Sequence, residues 1–261
     1  MLRLLLLSAF LFLPISLSAQ TAEDVIAKYI EARGGLAKIR SIQSERVSGT
    51  IVFSPTVQGP FVVERERPLK MHMEVSLGDQ TFIRVYDGKS AGWVYNPFAA
   101  NPAVEAMTAN DLRGILDEAD FEGPFIDYKA KGNTVEFAGK TTLEGKSAYK
   151  LKVINKNGDV TYFFFDAATY FLIRFDGTRK IDDKDVLTRT SFRNYREVND
   201  LQYPFLVESY TPSTGESQKI IADKIEVNIS ISESRFKKPA VAAPPAEKPA
   251  DPLPADAPKP Q

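Results

Sequence analysis

The spacing of apolar positions changes once along the chain, and each spacing predicts a different element. Residues 25–30 follow helical spacing after Thr21, which is a good N-cap with acidic residues next to it. From Ser44 onward the period is two, in about twelve segments that turn residues such as Asn157-Gly158 separate. A short helix capped by Thr108 interrupts this series. The pattern predicts a mainly β (α+β) domain, in which helices cover one face of a strongly curved antiparallel sheet of about 11–12 strands.

Several strands are apolar on more of their surface than two short helices can cover. Val47, Ile51 and Phe53 lie on one face of a strand whose other face carries polar residues at 46, 48 and 50. The strand segments 162–165 and 171–173, in contrast, are apolar on both faces. Since the helices are too few to cover both sides of such a sheet, some apolar surface should line a concavity. A concavity of this kind is the usual form of a site for an apolar ligand.

The two ends of the chain differ from the part between them. Arg3 and the apolar run 4–13, followed by small residues up to Ala19, are typical of a secretory signal peptide at 1–19. The run is too short to span a bilayer, and no cysteine follows it for lipid attachment. Residues 239–261 include eight prolines, so we expect a disordered Pro/Ala-rich tail. The folded domain is therefore expected at 20–238, exported, soluble and not anchored to a membrane.

Composition argues against several classes of function. The 261 residues carry a net charge of −1, no cysteine and a single histidine, His72. These counts disfavour nucleic-acid binding by bulk charge, exclude thiol catalysis and exclude metal sites built from several histidines. We expect no enzyme activity, cofactor or metal, because the chain offers no convincing pair of nucleophile and base.

Three polar motifs are better explained by ordinary structure than by chemistry. The segment 87–90 ends like a phosphate loop but lacks its first glycine, which predicts a hairpin turn. Glu64 and Glu66 share one strand face and are expected to be two solvated glutamates rather than a catalytic pair. His72, beside Glu74 on a polar face, is expected to be a surface histidine.

One stretch resembles a known family. Residues 59–98 contain an Arg67-Pro68 strand start, His72-Met73, and then Asp87-Gly88-Lys89, Trp93 and a Tyr-Asn-Pro-Phe segment at 95–98. This order resembles the periplasmic outer-membrane lipoprotein carriers of the LolA/LolB type. The resemblance implies an unclosed β-barrel in the periplasm, whose apolar concave side receives acyl chains under a helical lid. It also implies that Arg67 latches the lid by binding the terminal carbonyls of a lid helix.

The candidate site follows from the apolar faces together with this resemblance. The expected groove is lined by Val47, Ile51, Phe53, Phe61, Val63, Met71, Met73, Trp93, Leu112, Ile115 and Leu116. The last three belong to the helix that we expect to fill the groove when the ligand leaves. The expected partners of this monomer are an acylated lipoprotein or lipid and a membrane-bound donor or acceptor protein, without nucleic acid.

Two alternatives remain open from the sequence. The chain could be a lipid-sensing or regulatory envelope module that acts through a protein partner on the same scaffold. It could also be a structural envelope protein whose tail threads the cell wall.

Overall fold

The computed structural model describes residues 20–181 and 184–240, without the side chains of 179–181 and 184. The expected signal peptide at 1–19 and all but the first two residues of the expected tail at 239–261 lie outside the described residues. Within them, no helix is long and apolar enough to span a bilayer.

Three helices and thirteen strands make up the described part of the chain. The helices are α1 (Ala22–Ala32), α2 (Leu36–Ser41) and α3 (Ala109–Ala119). The first six strands are β1 (Ser44–Ser54), β2 (Val57–Glu66), β3 (Lys70–Leu77), β4 (Gln80–Tyr86), β5 (Gly92–Tyr95) and β6 (Val104–Ala106). The other seven are β7 (Thr134–Leu143), β8 (Lys146–Ile154), β9 (Val160–Asp166), β10 (Leu172–Ile181), β11 (Lys184–Val198), β12 (Leu201–Thr211) and β13 (Glu216–Val227).

All of these strands form one antiparallel sheet, as the alternating pattern predicts. Its order is β6-β5-β4-β3-β2-β1-β13-β12-β11-β10-β9-β8-β7, so β1 pairs with β13 and joins the two halves. No pairing joins the outer strands β6 and β7, and the sheet is an unclosed barrel. The expected 11–12 strands become thirteen because β6 has only three residues, too few to show an alternating pattern.

Both longer helices begin where their caps predict. The side chains of Thr21 and Thr108 each accept a hydrogen bond from the backbone N–H three residues on. In return, the carboxylates of Asp24 and Asp111 accept a hydrogen bond from the backbone N–H of the capping threonine. These reciprocal bonds satisfy two of the donors that a helix N-terminus leaves free. Local sequence therefore determines where α1 and α3 start.

Apolar side chains of the sheet meet the helices on one face, called here the concave face. Helix α1 packs Val25 and Tyr29 against buried rings of β8 and β9, and α2 packs Ile39 against β12 and β13. Helix α3 packs Ile115 against β3 and β4. The opposite face of the sheet is called the convex face.

The C-terminal turn (Glu233–Phe236) folds back over the convex face and changes two expectations from the sequence. Glu64 and His72 are 2% and 5% exposed, so the predictions of a solvated Glu64 and a surface histidine are wrong. Arg235 donates to the carboxylates of Glu64 at 2.5 Å and Glu74 at 2.8 Å. His72 contacts the carbonyl oxygen of Arg235 at 2.6 Å and Glu74 at 2.9 Å. Periodicity could not reveal this cover, since the turn lies about 160 residues further along the chain.

The contacts of Arg235 with Glu64, Glu74 and His72 are called here the clasp, and their contribution to stability depends on pH. Burial alone would raise the pKa of Glu64, but hydrogen bonds from Arg235 and Arg46 outweigh it and lower that pKa. Burial would also raise the pKa of Glu74, but its hydrogen bonds with Arg235 and His72 outweigh burial and lower that pKa. Carboxylates with lowered pKa values stabilise the fold above their ordinary value of 4.5, and this stability is lost as the pH falls through the folded-state values.

We therefore expect Arg235→Gln to cost about 1–3 kcal/mol of unfolding free energy near neutral pH. The difference from wild type should shrink as the pH falls from 4.5 through the lowered pKa values of Glu64 and Glu74, because both carboxylates become protonated and lose their attraction to Arg235. Urea denaturation across this range measures it. Lys224→Gln, at an exposed ion pair with Glu226, is the control. A difference that does not change with pH would contradict this account of the clasp.

Candidate functional site: the concave face

The strand register decides which side chains share the concave face. Val47 pairs with Val63, which pairs with Met73, so these three form one row across β1, β2 and β3. Phe61 pairs with Val75 in a parallel row, and Ile51 continues that side of β1. Six expected groove residues of β1, β2 and β3 therefore share one face and form an apolar surface: Val47, Ile51, Phe61, Val63, Met71 and Met73.

Helix α3 lies on this surface through its apolar side. Ile115 is fully buried, and Leu112 and Leu116 pack beside it against Val63, Met71 and Met73. The approach is close at Gly92, where a Cβ atom would lie 2.6 Å from the Sδ atom of Met107 and 2.9 Å from Leu112. A larger residue at that position would require the side chains of Met107 and Leu112 to move, so glycine permits this close approach of the helix to the sheet.

Two expected groove residues are placed differently. Trp93 pairs with Val85, which pairs with His72, so Trp93 lies on the convex face and the groove assignment is wrong. The ring is large and apolar, but the strand register, which sequence alone did not show, sets its direction. Phe53 lies at the irregular end of β1, is 40% exposed, and belongs to none of the buried clusters.

The arginines at the end of β2 hold different helices. Arg67 donates to the carbonyl oxygens of Ile42, at 2.7 Å, and Ile39, at 3.4 Å, at the C-terminus of α2. Arg65 donates to the carbonyl oxygen of Glu118, at 2.9 Å, in the last turn of α3. Arg67 thus binds terminal carbonyls of a helix on the concave face, as the resemblance implies, but that helix is α2. Helix α3, which carries Leu112, Ile115 and Leu116, is bound by Arg65 instead. Both arginines lie over the ring of Phe121.

The C-terminal end of α3 depends on cations from elsewhere. Its last turn has no basic residue and carries Asp117 and Glu118, which the helix dipole disfavours there. Arg84 on the concave face donates to the Glu118 carboxylate at 3.2 Å, and Lys131 pairs with Asp120 at 2.5 Å. The polar attachments of α3 are thus concentrated at one end of the helix.

A buried ion pair lies beneath this attachment. Glu45 is 1% exposed and accepts two hydrogen bonds from Arg65 through Oε1, one of them from Nε at 3.1 Å. Its other oxygen, Oε2, is buried without a hydrogen-bond partner in the part of the chain that the structure describes. Arg65 therefore neutralises Glu45 and holds α3 at the same time.

The segment between α3 and β7 completes the cover, and the sequence pattern did not identify it. Phe125 inserts into the α1 cluster, and Phe121 and Ile126 insert into the α2 cluster. The turn residues around them, Gly123 and Pro124, resemble those of an exposed loop. Three large apolar residues within six positions were the available signal.

No metal site accompanies this surface. Across residues 20–181 and 184–240, no group of three or more His, Asp or Glu side chains is placed to hold a metal ion.

Comparison of this geometry with known proteins gives matches to solved structures. A DUF1329 family protein from Desulfovibrio piger superposes with a TM-score of 0.56 at 11% identity, over 82% of this chain and 96% of that one. A LolA superfamily protein from Nitrosomonas europaea gives a TM-score of 0.54 at 11% identity, covering 84% and 99%. This chain has a LolA-like fold. A Vibrio parahaemolyticus domain, provisionally described as an outer membrane lipoprotein-sorting protein, gives 0.53 at 14% identity, covering 82% and 95%.

The likeness is therefore one of LolA-like architecture at low sequence identity. No protein-family model and no curated protein matches the sequence. The fold expected from residues 59–98 agrees with the solved structures along most of the chain, whereas the ligand has to be argued from this chain's own residues.

Proposed function

We propose that this protein binds acylated lipoproteins or other hydrophobic ligands on its concave face and carries them through the periplasm. The observation that carries the proposal is the mode of attachment of α3. Its apolar side covers Val63, Met71 and Met73, while its polar contacts to Arg65 and Arg84 are confined to the last turn. A helix attached in this way can swing off the sheet and expose an apolar surface.

The energetics of a carrier favour such a lid. Burying an acyl chain contributes about 0.8 kcal/mol per CH₂ group, so an empty open groove would hold its ligand too tightly to release it. Leu112, Ile115 and Leu116 fill the apolar surface in the closed state. Opening the lid then costs free energy that offsets part of the ligand's binding free energy.

The expected leader at 1–19 supports the periplasmic location. Delivery to a membrane-bound acceptor would complete the cycle of a carrier. We propose that the protein acts as a monomer, without a catalytic step or a cofactor.

Leu77→Glu should weaken binding of a fluorescent acyl probe by about tenfold or more, because a carboxylate on the groove surface loses hydration when the chain binds. Leu77 is half-buried at the concave end of β3, next to Phe61 and Val75. Ser76→Glu places the same charge on the convex face one residue away, and its affinity should equal that of wild type. Fluorescence titration measures both, alongside mass spectrometry of lipids that co-purify with the wild-type protein.

Acylated species in the extract, with loss of affinity in Leu77→Glu alone, support the carrier. Equal affinities in the two variants would place the probe elsewhere and contradict the site. An extract without acyl chains, together with a stably bound protein partner, would favour the regulatory alternative.

A further inference from the structure

A polar cavity lies on the convex face of the other half of the sheet, away from the acyl surface. Arg174 pairs with Ser191, Ser191 with Glu208, and Glu208 with Lys219, which forms one row across β10–β13. In the neighbouring row Asp176 pairs with Arg189, Arg189 with Tyr210, and Tyr210 with Ser217. These two rows line a cavity of about 250 Å³.

The lining is rich in cations and hydroxyl groups. Three cations, Arg174, Arg189 and Lys219, face it together with one carboxylate, Glu208. The hydroxyls of Ser191, Ser217 and Tyr210 make no hydrogen bond to any residue that the structure describes. The cavity is smaller than the roughly 300–1,000 Å³ of sites for drug-sized ligands, which suits a small anionic group.

Most of these charges already have partners. Both carboxylate oxygens of Asp176 accept hydrogen bonds from Arg174. Glu208 forms one ion pair with Lys219 at 3.1 Å and another with Arg193 at 3.2 Å. The acids next to the cavity are therefore occupied by neighbouring cations.

Arg189 has the weakest pairing of these cations. Its nearest carboxylate oxygen, on Asp176, is 4.0 Å from its Nε atom. That Nε atom is buried and has no hydrogen-bond partner within residues 20–181 and 184–240, while the side chain as a whole is 43% exposed. A buried donor without an acceptor is costly, and a guanidinium presents a planar fork that matches two oxygens of one anion. Arg189 therefore lines the cavity with a charge that one long ion pair compensates only weakly, and the exposed part of its side chain is accessible to an oxyanion.

We propose that this convex cavity binds a phosphate group, with Arg189 as its main ligand and Lys219, Ser191 and Ser217 as further donors. A tetrahedral oxyanion offers several oxygens at once, which suits one guanidinium fork, one ammonium and neighbouring hydroxyls. The group could belong to a phospholipid headgroup or to a free phosphate, since both present the same chemistry to the cavity. The site lies opposite the concave face, so it is independent of the proposed acyl binding.

The test follows backbone amide NMR signals of the protein during titration with inorganic phosphate at constant ionic strength, which keeps general screening unchanged. We expect saturable shifts at Ser191, Tyr210 and Ser217. Arg189→Gln should weaken binding by about tenfold or more, because it removes a cation whose guanidinium makes no hydrogen bond to any described residue. Its thermal midpoint should stay near that of wild type, since the side chain makes no hydrogen bond that the structure describes.

Arg193→Gln is the matched control, because Arg193 lies on the same strand and face with an exposure of 44% but does not line the cavity. Its phosphate affinity should remain close to that of wild type. Equal losses in the two variants would mean that general charge attracts the anion, and absence of saturable shifts would equally overturn the site.

Sedimentation with vesicles separates the two sources of the phosphate. Binding to phosphatidylglycerol vesicles that depends on Arg189 identifies a lipid headgroup, and binding of inorganic phosphate alone identifies a free phosphate. Neither result depends on the acyl probe, so failure here leaves the carrier proposal intact, and failure of the carrier proposal leaves this site intact.

Discussion

Replacing Phe125 by alanine should lower the free energy of unfolding by about 3–5 kcal/mol, the range observed when large buried aromatic residues are truncated. Phe125 is 2% exposed and contacts three rings edge-on: Tyr29 at 5.7 Å, Phe163 at 4.8 Å and Phe165 at 5.4 Å between centroids. It is thus the residue through which the segment after α3 joins α1 to the sheet. Chemical denaturation followed by circular dichroism measures the loss.

Phe98→Ala is the control for Phe125. Phe98 is 53% exposed, and truncation of exposed side chains usually changes stability by about 0.5 kcal/mol or less. A loss below about 1 kcal/mol in Phe125→Ala would show that the segment 120–132 does not hold the cover in place.

Arg65→Leu should also destabilise the fold by about 3–5 kcal/mol, because it leaves the Glu45 carboxylate buried without its cation. The double variant Glu45→Leu/Arg65→Leu should recover most of this loss, since apolar residues can replace a buried ion pair at little cost. In that double variant, however, the carbonyl oxygen of Glu118 still lacks its donor, so the attachment of α3 is weakened while the sheet is intact.

The lid then gives the functional readout. A hydrogen bond from a charged donor contributes about 1.5–3 kcal/mol. The closed empty state should lose a free energy of that order, and acyl-probe affinity should rise by about tenfold or more. Stopped-flow transfer of the probe to acceptor vesicles should slow accordingly.

Arg67→Leu is the control for the loss of Arg65, because Arg67 is also an arginine at the end of β2. Its contacts go to α2 and to Glu122, at 3.3 Å, so probe affinity should stay near the wild-type value. Unchanged affinity in Glu45→Leu/Arg65→Leu would remove α3 from the proposed mechanism. An equal rise in Arg67→Leu would mean that the cover opens as one unit rather than at α3.

Much of the architecture followed from local patterns. The alternation from Ser44 onward predicted the antiparallel sheet, and the caps at Thr21 and Thr108 predicted where two helices start. These features depend on residues within a few positions of each other, so their physical causes are visible in the sequence. The same alternation predicted an apolar face on each of three strands, and the register then shows that Val47, Val63 and Met73 lie side by side on one face of the sheet.

Long-range contacts decided what the pattern left open. Arg65 and Arg67 have the same residue type and the same parity on one strand, yet one binds α3 and the other α2. Trp93 faces away from the groove because pairing with Val85 sets its direction, and Glu64 is buried because the C-terminal turn returns across β2 and β3. These outcomes depend on groups from 8 (Trp93 and Val85) to 171 positions apart (Glu64 and Arg235), which strand register and the return of the chain bring together. Periodicity shows which residues share a face of one strand or helix, whereas the tertiary structure determines which other groups pack against that face.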